Sequence, residues 1–239
     1  VLADGVWKRL AATGGRFIEP FLGGGSMALD LGQRRMLLAD ICAPLISTYM
    51  EIVRSPVDVI ERMEWLHGQV APLGLNAETY YTLREFKPVT QLDHAAQFLM
   101  LNSTCFNGVY RVNKSGTFNV PYGARTEKHY PTLQQLLDVH RAFEYADLAV
   151  ADFRKVVANA RKGDVVFSDS PYFETFTGYD KGKFTLADQR DLALWLKCAA
   201  DKGATVIAAN SDFPEIRELY KDFEIIASQE QRKISRDGK

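Results

Sequence analysis

Cysteine is scarce in this 239-residue chain. Only Cys42, Cys105 and Cys198 are present, far apart and with no C-x-x-C pair. An odd, scattered set excludes a disulfide framework and a zinc ribbon, and a reduced, cytoplasmic setting is expected. Histidine is equally sparse: His67, His94, His129 and His140 form no H-x₃-H pair, so no metal is expected. No run approaches the roughly 18 apolar residues of a membrane-spanning helix, and no secretory leader is read. Internal repeats and low-complexity stretches are also missing. Net charge is −1, which excludes a globally basic nucleic-acid binder and leaves only local patches for that purpose. The glycine-rich stretch Gly23-Gly24-Gly25-Ser26-Met27-Ala28 is not G-x-G-x-x-G, because Ala28 stands at the third glycine position. No Gly-Lys-Ser/Thr follows it, so it lacks the Walker phosphate machinery.

What the chain has is an alternating α/β pattern. Hydrophobic content of 46% and charged content of 25% are those of a folded globular protein with a sizeable core. Val165-Val166-Phe167-Ser168 is a short apolar run, too short for a helix, that leads into Asp169-Ser170-Pro171-Tyr172. Such a run reads as a buried parallel strand, and in open α/β sheets chemistry sits beyond the carboxyl ends of strands. A carboxylate, backbone carbonyls beside a stiff proline and an aromatic face then meet at one point. That set suits an exocyclic amine on a flat base, which has two N–H groups to donate and a ring to stack. The same four residues also fit a plain turn.

Phe17–Asp30 reads as a strand end, a glycine turn and a helix start, with Ser26 near the helix cap. Without phosphate machinery, the turn better suits a nucleoside ligand. Arg35–Asp40 reads as the second strand, and its terminal acid falls where ribose hydroxyls are bound, although Asp40 also fits a cap for the helix near Ala43-Pro44-Leu45. Leu45 to Leu101 is helical in pattern. Val109–Tyr122 carries Asn113-Lys114-Ser115-Gly116 between two β-like runs and predicts a hairpin. Further strands are predicted at Leu148–Phe153, Ala204–Ala209 and Phe223–Ala227, and a helix at Thr185–Ala200. From Asn107 to Tyr130, Arg111, Lys114, Arg125 and Lys128 outnumber the single acid Glu127, with His129 as a further donor. This is a local basic patch of the kind a DNA contact needs, or a solvated loop.

The chain resembles the Dam-type DNA adenine-N6 methyltransferases of the D12 class. The resemblance is carried by Glu19–Ser26, Leu38–Ile41, Tyr80–Phe86, Cys105–Gly108 with Tyr110–Asn113, Gly116–Gly123, Asp169–Tyr172, Phe184–Gln189 and Ala208–Asp212, all in the family's order. It implies a Rossmann-like methyltransferase sheet with an inserted, mainly helical DNA-recognition domain carrying a β-hairpin. The catalytic domain would comprise residues 1–45 and 136–239, and the recognition domain 46–135. It further implies S-adenosylmethionine as methyl donor, double-stranded DNA as substrate, a monomer in solution and a bacterial or phage-encoded protein. The donor would be held by Glu19, Phe21, Gly23, Gly25, Asp40, Asp152, Phe153 and Asp169. Asp169, Ser170, Pro171 and Tyr172 would form the catalytic motif. Arg111, Asn113, Lys114, Asn119, Pro121 and Arg125 would meet DNA. Phe21, Phe153, Pro121 and Tyr122 fit plain packing roles as well.

Three departures stand out. Ser170 replaces the first proline of the usual Asp-Pro-Pro-Tyr, which removes φ rigidity but keeps the carbonyl. A weak or silent relative is the alternative this raises; methylation of another amine, such as cytosine N4 or an RNA base, is a further one. Some family members read a base with an arginine just before the hairpin glycine, where this chain has Ser115, so a GATC-like palindrome is expected without that reader. The family's N-terminal cofactor-contacting segment and its last strand are expected to lie outside positions 1–239.

Overall fold

The computed structural model describes residues 2–70, 76–123, 130–173 and 184–227, with the side chains of 2–4 left aside. Among the described residues, five short strands run parallel: β1 (Phe17–Glu19), β2 (Met36–Asp40), β3 (Ala146–Val150), β4 (Val165–Asp169) and β5 (Thr205–Ala209). Their order is β3-β2-β1-β4-β5. The chain winds outward from β1 to β3, returns to the middle at β4, and winds the other way to β5. The reversal falls between β1 and β4, which pair Phe17 with Val165 and Ile18 with Val166. Such a switch point opens a crevice at the carboxyl ends of the two central strands.

Alternation of side chains along the strands divides the core into two layers. Phe17, Met36, Leu38, Val165 and Phe167 face one way. They are buried with Leu10 of α1 (Leu2–Thr13), Ala28 of α2 (Ser26–Leu31), Ile46 of α3 (Ala43–Arg54) and Phe143 of α7 (Leu133–Phe143). Met63 of α4 (Pro56–Val70), Tyr80 of α5 (Ala77–Glu85) and Met100 of α6 (Gln91–Thr104) continue that same core. Ile18, Ala39 and Val166 face the other way. Their partners are Val156 of α8 (Phe153–Ala158), Leu192 and Leu196 of α9 (Leu186–Asp201), and Ile216 of α10 (Pro214–Leu219). Four helices begin with reciprocal capping boxes, Asn76/Thr79, Thr90/Asp93, Thr132/Gln135 and Thr185/Asp188, each satisfying two otherwise orphaned amides.

Three elements differ from the sequence reading. The strand expected at Leu148–Phe153 runs from Ala146 to Val150, because Asp152 accepts from the Arg154 amide and caps α8, of which Phe153 is the first residue. Asp favours such a cap over an extended strand. Phe223–Ala227 is not a strand: the Phe223 amide donates to the Tyr220 carbonyl at 2.9 Å and closes a turn. The hairpin is reduced to the bridges Val112–Phe118 and Cys105–Tyr122 around its turn.

One buried acid registers the two central strands at their amino ends. Asp164, just before β4, accepts from the Arg16 amide and the Arg16 guanidinium, both at 2.9 Å, and from the Arg161 amide at 3.1 Å. These donors hold its carboxyl below the usual range against the opposing effect of burial. Asp164→Ala leaves those donors without a buried acceptor and is expected to destabilise the fold by about 3 kcal/mol at pH 7. Its folded pKa is depressed, so the contribution is present above the ordinary Asp value of 3.8 and is lost as pH falls further. Urea denaturation of both proteins at pH 7 and pH 3 measures it, and the gap should narrow at the lower pH.

Candidate active site

The glycine turn after β1 is built by its neighbours. The Leu22 amide donates to the Ala39 carbonyl at 2.8 Å, and the Gly25 amide closes back on the Leu22 carbonyl at 2.7 Å. Gly25 sits at φ 65° as the residue before α2. A Cβ there would come within 3.2 Å of the Phe143 ring and 3.3 Å of the Tyr49 hydroxyl, so both conformation and space require glycine. Ser26 is the first residue of α2 and its side chain caps nothing. Gly23 and Gly24 are exposed, with nothing within 4 Å of where a Cβ would project. They present bare backbone to the crevice. Asp40, at the end of β2, accepts from the Gly23 amide at 3.0 Å and the Cys42 amide at 2.9 Å. Its carboxylate ties the glycine turn to the exit of β2 rather than capping α3, whose cap position is Cys42.

An aromatic group stands beside this turn. The Phe21 ring stacks on Phe153 at 5.4 Å, and the edge of Phe184 meets Phe21 at 5.6 Å. The Arg154 guanidinium lies 4.4 Å from the Phe153 ring centre. It also pairs with Asp152 at 3.0 Å, Asp188 at 3.1 Å and Asp191 at 2.7 Å. Asp152 and Phe153 therefore reach the site from the first turn of α8.

Two acids meet where β1 and β4 end. Glu19 is only 3% exposed, and its Oε2 has no hydrogen-bond partner. Burial, and then the charge of nearby Asp169, raise its pKa from 4.5 to about 8, against a backbone hydrogen bond from Ala28. Asp169 lies exposed at the strand end. Partial desolvation raises its pKa, while a hydrogen bond with the Tyr172 side chain pulls the other way. Tyr172 remains 38% exposed, whereas Ser170 is buried and its hydroxyl oxygen is unpartnered. Gln189, Asn210 and Ser211 hold the backbone from Pro171 to Phe173. The sequence placed them within two stretches that carry the family resemblance, Phe184–Gln189 and Ala208–Asp212, but gave them no role. The available signal was a polar Gln189 on the α9 face that buries Leu192, Ala193 and Leu196.

The hairpin residues are held chiefly by one another. Arg111 donates to the Asn119 side chain at 2.8 Å and to the Asn119 carbonyl at 3.2 Å, bracing the two arms. The Asn113 side-chain oxygen accepts from the amides of Ser115 and Thr117 and from the Ser115 hydroxyl, and so builds the turn. Lys114 is exposed at the tip, and Pro121 is exposed where its carbonyl accepts from the Phe106 amide. Arg125 lies outside the described residues, with Glu127, Lys128 and His129 of the basic stretch.

A switch-point crevice with a bare glycine turn, an acid at each of three strand ends and Asp-Ser-Pro-Tyr on β4 is the setting for comparison with known proteins. The family model for D12 class N6 adenine-specific DNA methyltransferases matches residues 3–234. The chain belongs to this class. It is 35% identical over 222 residues to the DNA N-6-adenine-methyltransferase of Escherichia phage P1, covering 90% of this chain and 29% of that protein. It is 34% identical over 220 residues to the retron Ec67 DNA adenine methylase of Escherichia coli, covering 90% of this chain and 75% of that one. With the DNA adenine methylase of Vibrio cholerae serotype O1 it shares 34% over 232 residues, 92% of this chain and 81% of the relative. Methyltransferases of the D12 class take the methyl group from S-adenosylmethionine.

The residues present suit a sulfonium donor: an unpartnered buried Glu19 oxygen, open glycine backbone, and carboxylates at the strand ends. The buried acid also leaves a pH signature without any ligand. The folded chain keeps the Glu19 proton up to about pH 8, while the unfolded chain releases it near 4.5. Between those values the unfolded state binds fewer protons, so this group makes stability fall as pH rises and level off above about 8. Glu19→Gln is expected to match the parent's melting temperature at pH 4.5 and exceed it increasingly up to pH 8.5. Thermal unfolding across that range checks this, and a difference independent of pH would refute the assignment.

Proposed function

We propose that this methyltransferase transfers a methyl group to N6 of an adenine turned out of double-stranded DNA, within a short palindrome such as GATC. The observation that supports this most is the convergence of Glu19, Asp169 and Tyr172 with the glycine turn at the β1/β4 crevice.

When bound, S-adenosylmethionine supplies an electrophilic methyl carried on a positive sulfonium. Glu19, Phe21, Gly23, Gly25, Asp40, Asp152, Phe153 and Asp169 are the residues proposed to hold it. Carboxylates suit the sulfonium charge, and the Asp40 carboxylate, already fixed by two amides, suits ribose hydroxyls. The lone pair of adenine N6 is conjugated into the ring, which makes the amine a poor nucleophile. Asp169 accepts one N6 hydrogen and the Ser170 carbonyl the other, which favours tetrahedral nitrogen and frees the lone pair. The Tyr172 ring stacks on the base once it has left the duplex. After transfer the nitrogen is cationic, and its extra proton leaves towards the Asp169 carboxylate or water.

The hairpin would meet the duplex through Arg111, Asn113, Lys114, Asn119, Pro121 and Arg125. Of these, Lys114 is exposed at the tip and suits phosphate, and the braced Arg111 is pre-organised for a base edge or phosphate. A second reading, a weakened enzyme, is favoured by the buried, unpartnered Ser170 hydroxyl at the position where the resemblance implies a proline.

The test is methyl incorporation into unmethylated plasmid DNA, with the digested nucleosides resolved by mass spectrometry. N6-methyladenine is expected, and Asp169→Ala should lower its rate by about a hundredfold or more. Methylation that survives Asp169→Ala unchanged would overturn the site, and absence of any methylated base would favour the weakened reading.

A further inference from the structure

The loop that would present Tyr172 and the Ser170 carbonyl has lost one stiffening element and carries another. Gln189 of α9 is fully buried, at 0% exposure. Its amide nitrogen donates to the Pro171 carbonyl at 2.8 Å, and its amide oxygen accepts from the Asn210 side chain at 2.9 Å. The Asn210 oxygen in turn accepts from the Phe173 amide at 3.2 Å, and the Ser211 hydroxyl donates to the Phe173 carbonyl at 2.5 Å. The Asn210 oxygen also accepts from the Ser211 amide at 2.8 Å, which fixes the orientation of its side chain. The Phe173 ring is held edge-on by Phe213 at 5.8 Å. The carbonyl before Tyr172, and both polar backbone groups after it, are thus gripped by side chains from α9 and the β5 exit.

Two consequences follow from the chemistry. The Pro171 carbonyl points at Gln189, so the acceptor for a base amine falls to its neighbour at Ser170. Ser170 does not restrict its own φ as proline would, so the orientation of that carbonyl depends on the grip at 171 and 173. We propose that Gln189 is a positioning residue: its amide, relayed through Asn210, sets the Ser170 carbonyl and Tyr172 for the base and replaces the rigidity of the missing proline. The proposal rests on the adenine-methyltransferase reading of this site.

The grip also adjoins the donor side. Asp188, the neighbour of Gln189, caps α9 through the amide of Thr185 and accepts from Arg154 at 3.1 Å. A perturbation confined to Gln189 should therefore leave donor binding intact while changing the reaction step.

The experiment compares the parent with Gln189→Met, which keeps volume but cannot donate, Ser170→Pro, and the double variant. With unmethylated plasmid and S-adenosylmethionine, Gln189→Met is expected to lower kcat by about tenfold, the scale of a lost positioning contact. KM for the donor should stay close to the parent's, while the melting temperature falls by a few degrees because the Pro171 carbonyl and the Asn210 amide lose a partner. In the double variant, Ser170→Pro should restore most of the kcat lost in Gln189→Met. A purely structural Gln189 would give a loss that proline at 170 does not rescue; that result overturns the proposal, as does unchanged kcat in Gln189→Met. Should Gln189→Met fold poorly, Gln189→Leu likewise removes the donor to the Pro171 carbonyl without adding an ionisable group, and the same loss is expected. Hydrogen–deuterium exchange at Tyr172 and Phe173 separates the two readings. Faster exchange at Phe173 in Gln189→Met is required even if the parent methylates nothing. An unchanged rate overturns the positioning role whatever the activity, whereas an inactive parent with the faster exchange fails the functional reading alone.

Discussion

Everything at the site depends on β1 and β4 lying side by side and parallel. Because the winding reverses between them, the described crossover helices run off to either side, and the residues that end the two strands face the crevice this leaves. Glu19 ends β1 and Asp169 ends β4, so the pairing itself brings two carboxyls near one another. The register is held at the opposite end by Asp164, whose oxygens are shared among Arg16 and Arg161. A structural charge at the bottom of the strands thereby helps to hold the register on which the two acids at the top depend.

The two acids have unlike surroundings, and that difference has chemical use. Glu19 is enclosed and retains its proton at neutral pH, so its pairing with Asp169 does not place two full negative charges together. Asp169 is open to solvent and to an incoming base, with a tyrosine hydroxyl already in contact. A cation arriving in the crevice would favour ionisation of Glu19, so binding of a sulfonium and loss of a proton are thermodynamically linked in this arrangement. The hairpin carries the opposite sign. Arg111 and Lys114 lie exposed on a hairpin whose turn Asn113 organises, so in the proposed function the charge that would attract phosphate stands on a different element from the charge that would hold a cationic donor.

The sheet was legible in the sequence where a buried strand ran into an acid. Arg35–Asp40, Val165–Ser168 and Ala204–Ala209 each appear as strands within a residue or two, because apolar runs of that length have few other homes in a parallel sheet. Asp152-Phe153 was misread as a strand end, since a capping Asp and a strand-ending Asp look alike until the following helix is placed. Phe223–Ala227 is apolar enough for a strand, but ladder pairing is non-local and its turn at Tyr220 is not visible in composition. Of the site, the motif acids and glycines could be named from the chain. The grip of Gln189, Asn210 and Ser211 could not, because it joins residues 18 to 38 positions apart through hydrogen bonds that leave no periodic trace.

That grip changes how Ser170 should be understood. A proline ring restricts one dihedral, whereas hydrogen bonds at Pro171 and Phe173 restrict the peptide planes on either side of Tyr172. The second constraint is longer in reach, since it couples the loop to α9 and, through Asp188 and Arg154, to the α8 cap at Asp152. Residues 188 and 189 are adjacent on one helical turn, and they hold opposite sides of the crevice. A shift of the α9 amino end would therefore move the donor side and the base side together, which a ring at position 170 alone could not accomplish. On this argument the loss of the proline weakens local stiffness but leaves intact the interaction that keeps the two halves of the site in register.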